Sequence, residues 1–260
     1  MNYYNGNALY DYLNINSINH FSFVCENQWQ IIYGDKNCEP KLLIGLSGTS
    51  SNLIETKKLL DEEKKLWKPL KEIHKRTSIP LVLLRFDKDI EELEEVFIVD
   101  YVNNPTNLTK INLKDLHQIF KEFLLPIKEN ISTGKYLNDK TSNAYHKWQR
   151  VSLGSDLKVS DFDLIKYDLS DNIIKIYELK RSYIDLNKWE PYSDDYNNFI
   201  LVWKVCKRAN IEFNILYNQR TKFPFNDDVS KVKVFNIPID TNEFKIIDLG
   251  IFSIEDFLKE

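Results

Sequence analysis

The stretch from residue 161 to residue 180 constrains this chain more than any other. It reads DFDLIKY, a short polar turn DLSDN, then IIKIYELK. Two β-prone runs separated by turn formers make a hairpin. In a hairpin centred between Ser170 and Asp171, Asp163 lies opposite Glu178, so the two carboxylates converge. On the second strand Glu178 and Lys180 are two positions apart and share a face, while Leu179 points to the other side, toward a core. The run IIKIYELK is too apolar for a solvated edge strand, and a buried Glu and Lys inside a sheet require partners.

Two carboxylates and one ammonium on rigid strands have a defined chemistry. Hard oxygen donors suit Mg²⁺, with Mn²⁺ a natural substitute, in a shell completed by water and phosphate oxygens. Such an ion polarises a phosphate and acidifies water. Lys180 beside it can orient or deprotonate the attacking water and stabilise charge developing on the phosphate. That set is sufficient for phosphodiester hydrolysis.

Asp163 followed by Glu178-Leu179-Lys180 resembles the signature of the PD-(D/E)xK, or restriction-endonuclease-like, nucleases. The resemblance covers roughly residues 140–218, in the order helix, hairpin bearing Asp and ExK, helix, strand. It implies an α/β fold, a mixed β-sheet flanked by helices, with the restriction-endonuclease-like core in the C-terminal half. It also implies Mg²⁺-dependent hydrolysis of DNA phosphodiester bonds. Asp163 and Glu178 become the metal ligands and Lys180 the residue serving the water. The Leu179 carbonyl becomes a further ligand, with Asp161, on the same strand face as Asp163, as a reserve. A type II restriction or phage-defence endonuclease is the expected class. The alternatives are a repair or recombination nuclease acting on structured DNA and a non-catalytic nucleic-acid-binding module that keeps the fold. The chain departs from the family in two places. No Glu occurs between Glu129 and Glu178, where many members carry another on the helix before the hairpin, and Asp163 is not preceded by Pro.

Composition sets outer limits. With 260 residues and 43% hydrophobic content the chain can bury a sizeable core, as one large domain or two small ones. A net charge of -4 excludes bulk coating of nucleic acid and leaves a local basic patch open, so charge alone neither supports nor excludes DNA. The three cysteines, Cys25, Cys38 and Cys206, have no CxxC spacing, which suggests neither a disulfide framework nor a zinc site and points to a reducing cytoplasm. No leader-like N-terminus and no long apolar run occur, so the expected protein is cytoplasmic and neither exported nor membrane-spanning.

The remaining readings are coarser. Strands are expected at 21–33, 41–46, 80–86, 95–101 and 211–217, and a helix from about Ser51 to Arg76 kinked or divided at Pro69. A helix at 112–125 begins at Asn112, another is capped by Ser142 or Asn143, and a third, capped by Ser193, runs to about Ala209. A soft boundary near 110–130 gives an N-terminal α/β region, 1–125, for recognition or assembly, and a catalytic domain, 126–260. Lys140, Lys147 and Arg150, interleaved with Tyr145 and Trp148, are candidate nucleic-acid contacts, balanced against a solvated helix with buried aromatics. Arg220 is a further candidate phosphate contact at the rim of the cleft. Asp194 and Asp195 are read as companions of a helix N-terminus, without a catalytic role. The GLSGTSSN run lacks the lysine and spacing of a phosphate loop and reads as a turn. A homodimer is possible by analogy with restriction enzymes, without a dimer motif in the sequence.

Overall fold

The computed structural model describes residues 6–99, 108–128, 143–223 and 225–259. Its architecture is α/β, with two six-stranded mixed sheets flanked by helices. Among the described residues no helix is long and apolar enough to cross a membrane. The chain divides into two compact units, one of residues 27–161 and one that joins residues 1–26 to 162–260. The expected division into 1–125 and 126–260 is corrected accordingly.

Strand pairing explains the correction. The run at 21–33 is two strands: Phe21–Ser22 (β1) pairs with Leu164–Tyr167 (β8), whereas Gln28–Gly34 (β2) belongs to the other sheet. The run at 161–167 divides in the same way. Lys158–Asp161 (β7) pairs with β2, placing Asp161 opposite Ile31, and only β8 enters the hairpin. One unit is thus inserted between two neighbouring strands of the other.

In the inserted unit the sheet order is β6-β5-β4-β3-β2-β7, with Pro40–Thr49 (β3), Leu81–Asp87 (β4), Glu95–Val99 (β5) and Leu108–Asn112 (β6). The parallel pair β3 and β4 is bridged by Asp61–Thr77 (α2), as a parallel connection requires. This helix begins at Asp61, ten residues later than expected, and Pro69 does not divide it. Asp61, Glu62 and Glu63 lie in its first turn and His74, Lys75 and Arg76 in its last, matching the helix dipole at both ends. Its approach to the sheet depends on Gly45, where a Cβ would stand 3.1 Å from Leu83 Cδ1 and 3.4 Å from Leu66 Cδ2. The opposite sheet face packs on Leu113–Glu122 (α3) and Ala144–Ser152 (α4), through Tyr33, Phe86, Phe120, Tyr145 and Trp148. Asn112 and Asn143 cap these helices through their side-chain oxygens, as the sequence suggests.

In the other unit the order is β1-β8-β9-β10-β11-β12, with Ile173–Ser182 (β9), Glu212–Lys222 (β10), Phe225–Ile237 (β11) and Ile247–Ser253 (β12). β9 and β10 are parallel and joined by Tyr196–Ala209 (α5); the other pairs are antiparallel. Ala8–Ile15 (α1) and Ile254–Lys259 (α6) cover one sheet face, where Leu9, Leu13, Tyr177, Leu216, Val234 and Phe257 form a core. α5 ends at Asn210, a left-handed residue at φ 52°, a conformation that asparagine tolerates better than most.

Candidate active site

The hairpin is held by its turn. The Asp168 carboxylate accepts the backbone N–H groups of Ser170 at 2.9 Å and Asn172 at 2.8 Å, and Asp171 takes the left-handed conformation at φ 67°. Leu164 then faces Tyr177 and Ile165 faces Ile176. Extending this register by one residue sets Asp163 opposite Glu178, the pairing expected from the turn centre. Tyr177 belongs to the core under α1, so alternation turns Glu178 and Lys180 to the opposite face. There the Lys180 ammonium lies 5.3 Å from the centroid of the Phe199 ring on α5.

Asp163 sits just before β8, and its Oδ2 accepts the Leu179 N–H at 2.7 Å. The Tyr10 hydroxyl of α1 donates to the Asp163 carbonyl at 2.6 Å, fixing the backbone at that point. An asparagine at 163 retains an oxygen able to accept from Leu179, whereas an alanine does not. Asp163→Asn is therefore expected to hold folding stability within about 1 kcal/mol, and Asp163→Ala to lose about 1–3 kcal/mol; urea denaturation of the two variants measures the difference.

Glu178 is buried, at 6% exposure, and its Oε1 lies 3.0 Å from Lys180 Nζ. The same ammonium is 3.4 Å from Asp195 Oδ2. Burial alone would pull the Lys180 pKa down, but the negative charges of Glu178, Asp195 and Asp163, with the hydrogen bond to Glu178, overcome it and raise the value above that of an ordinary lysine. Lys180 is therefore a cation at neutral pH. Because the folded value is the higher one, its electrostatic contribution to stability persists through neutrality and is lost only in strong alkali, as pH rises through that raised value.

Asp195 is the residue that sequence reasoning set aside. Ser193–Asp195 form a 3-10 turn and α5 starts at Tyr196, so the cap position falls on Asp195 and not on the expected Ser193. The Asp195 side chain makes no capping hydrogen bond and instead faces Lys180. Its place immediately before a helix that crosses from β9 to β10 is the signal that could have found it.

Comparison with known proteins gives no further guide to this arrangement. No family model, curated protein or solved structure matches the chain. The site stands on its own geometry, and among the described residues no group of three His, Cys, Asp or Glu side chains is placed to hold one metal ion.

The other expected site residues belong to other elements. Asp161 is on β7, in the other sheet, so the shared-strand argument for it as a reserve ligand fails. Lys147 and Arg150 are on α4, also in the inserted unit, where Tyr145 and Trp148 point into the core and the Tyr145 and Tyr33 hydroxyls lie 2.9 Å apart. The aromatic residues expected to flank a phosphate grip are thus packing residues. Lys140 lies outside the described residues. Arg220 is on β10 and donates to the Asp227 carboxylate at 3.2 Å.

Proposed function

We propose that the unit formed by residues 1–26 and 162–260 is a metal-dependent endonuclease that hydrolyses DNA phosphodiester bonds, of the type II restriction or phage-defence kind. The observation that carries this reading is the gathering of Asp163, Glu178 and Lys180 at one end of the β8–β9 hairpin, where Asp163 accepts the Leu179 N–H, Glu178 pairs with Lys180, and the charge of Asp163 acts on the same ammonium. The order of elements supports it as well. Within this unit the chain runs helix, a two-residue strand, the hairpin with Asp163 just before its first strand and ExK on its second, crossover helix and parallel strand. Apart from the added short strand, this is the order helix, hairpin, helix, strand of the resembled PD-(D/E)xK nucleases. The helix before the hairpin in this sheet is α1, not α4. The place to look for the upstream acid of that family moves with it, and the acidic residue in the first turn of α1 is Asp11.

The donor set fits Mg²⁺, which binds through one or two carboxylates and keeps much of its water. Asp163 and Glu178 would hold it, and it would supply Lewis acidity toward a phosphate oxygen. Asp163 is kept in place by the Leu179 N–H, and Glu178 by its position inside the sheet. Lys180, charged at neutral pH, orients the attacking water and offsets negative charge on the phosphate; its contacts with Glu178 and Asp195 keep the ammonium at one spot.

The test is incubation of supercoiled plasmid with the full chain and Mg²⁺, with the ends of any fragments mapped. Discrete ends are expected with Mg²⁺ or Mn²⁺ and none with EDTA. Intact plasmid, and intact branched and single-stranded DNA, under all metal conditions would remove the nuclease reading.

A further inference from the structure

We propose that the tip of the β10–β11 ribbon is a stacking platform for unpaired nucleic-acid bases; that nucleic acid is the ligand rests on the nuclease reading above. β10 follows β9 as far as Gln219, which pairs with Ser182. Beyond it, Arg220, Thr221 and Lys222 pair with Asp227, Asn226 and Phe225 alone, so the two strands leave the sheet as a ribbon. Phe223 lies six residues past Tyr217, the neighbour of Lys180, about 20 Å along the strand. That span is roughly six base-pair steps of duplex.

The tip carries side chains that nothing in the fold explains. Phe223 is 95% exposed, Phe225 65% and Tyr183 49%. Single exposed apolar residues are ordinary, but grouped aromatics on a projecting ribbon mark a contact surface. They are interleaved with cations. The Lys222 ammonium lies 4.8 Å from the Tyr183 ring centroid and the Arg220 guanidinium 5.9 Å from that of Phe225. At the ribbon base, Asp227 is shared by Arg181 at 3.1 Å and Arg220 at 3.2 Å, with Asn218 also donating to it. Lys222, nearer the turn, has no carboxylate partner among the described residues. The base is thus cross-linked through one carboxylate while the tip stays aromatic and positive. Ring faces beside an unspent cation suit a polyanion whose bases are free to stack, because every base offers a π-face and the phosphates supply the opposite charge. A fully paired duplex offers only its phosphates to such a surface.

The test uses fluorescein-labelled oligonucleotides in EDTA: a single strand, the matching blunt duplex, and that duplex with an unpaired tail. Fluorescence anisotropy is read for the wild-type chain and for the double variant Phe223→Ala/Phe225→Ala. The variant is expected to lose about tenfold or more in affinity for the single strand and the tailed duplex, with its affinity for the blunt duplex within about twofold. Both side chains are exposed, and an unchanged melting temperature shows that the variant is folded. Equal weakening on all three probes, no weakening on any, or no binding by the wild type overturns the platform. So does loss of binding to phosphatidylserine vesicles without any effect on oligonucleotides, which would make the tip a membrane contact. Plasmid cleavage is scored separately. Cleavage with unchanged tail affinity removes the platform and keeps the nuclease; tail-specific loss without cleavage does the reverse.

Discussion

If the chain is the proposed nuclease, replacing Lys180 by alanine is expected to lower the rate of plasmid cleavage by about two to four orders of magnitude, the usual range for removing a group that stabilises transition-state charge or manages a proton. The variant should still bind the metal. In the wild-type site the ammonium lies 3.0 Å from Glu178 and 3.4 Å from Asp195, and it competes with any divalent ion for those carboxylates. Without it the buried Glu178 and the nearby Asp163 and Asp195 are left with excess negative charge, which a divalent ion relieves. Two readouts should therefore move in opposite directions. Cleavage collapses, while stabilisation by Ca²⁺ in a thermal melt stays equal to that of the wild type or exceeds it. Lys180→Arg keeps the charge with a different shape, and it should preserve folding better than alanine while remaining a poor catalyst. Cleavage by Lys180→Ala within tenfold of wild type would exclude the assigned role for the lysine.

The parts of this site that could be read in advance are those governed by local rules. Strand alternation is a short-range property, so the shared side of Glu178 and Lys180 follows from residue order. The pairing of Asp163 with Glu178 expected from the turn centre is reached through a register shift at Lys166/Tyr167, which residue order does not announce. Asparagine caps are equally local, and Asn112 and Asn143 act as caps. The readings that failed depended on which distant segment a strand pairs with. Asp161 and Leu164 are three residues apart, yet they pair in different sheets, Asp161 with Ile31 of β2 and Leu164 with Tyr177 of β9. Nothing in DFDLIKY encodes that division. β1 is only two residues long, too short to announce that the chain's beginning belongs with its end.

Tyr145 and Trp148 show a second kind of ambiguity. An amphipathic helix packed on a sheet and a helix that grips phosphate with aromatic support share one pattern of alternating aromatic and basic residues, and only the neighbours decide between them. Here Tyr33, Phe86 and Phe120 decide for packing. Asp195 was hidden for the opposite reason. Acidic residues at a helix start have a sufficient local explanation, so its approach to Lys180 emerges only once α5 is laid across the sheet.

The largest effect on stability is expected from Arg85→Ala in the inserted unit. Arg85 on β4 and Glu63 on α2 form an ion pair in which both side chains are fully buried. Arg85 Nε donates to Glu63 Oε1 at 2.6 Å and Nη2 donates to Oε2 at 2.7 Å. The guanidinium also donates to the carbonyls of Ile54, Thr56 and Lys58. One cation thus ties the sheet to the helix and holds the loop that leads into it. Alanine leaves a buried carboxylate without its partner and three carbonyls without a donor, a loss of about 3–5 kcal/mol. For a unit of this size that lowers the melting temperature by roughly 10–20 °C. The double change Arg85→Met with Glu63→Leu removes both charges and should cost less than Arg85→Ala alone, since no unpaired charge remains. It still gives up the carbonyl contacts and the bond at 2.9 Å from the Leu60 N–H to Glu63 that closes the helix start. A local readout separates this account from general destabilisation. Loosening of residues 54–58 should expose Lys57 and Lys58 to trypsin before the rest of the unit unfolds. A melting temperature within 3 °C of wild type for Arg85→Ala, or tryptic cleavage that begins elsewhere, would show that the loop is held by other contacts.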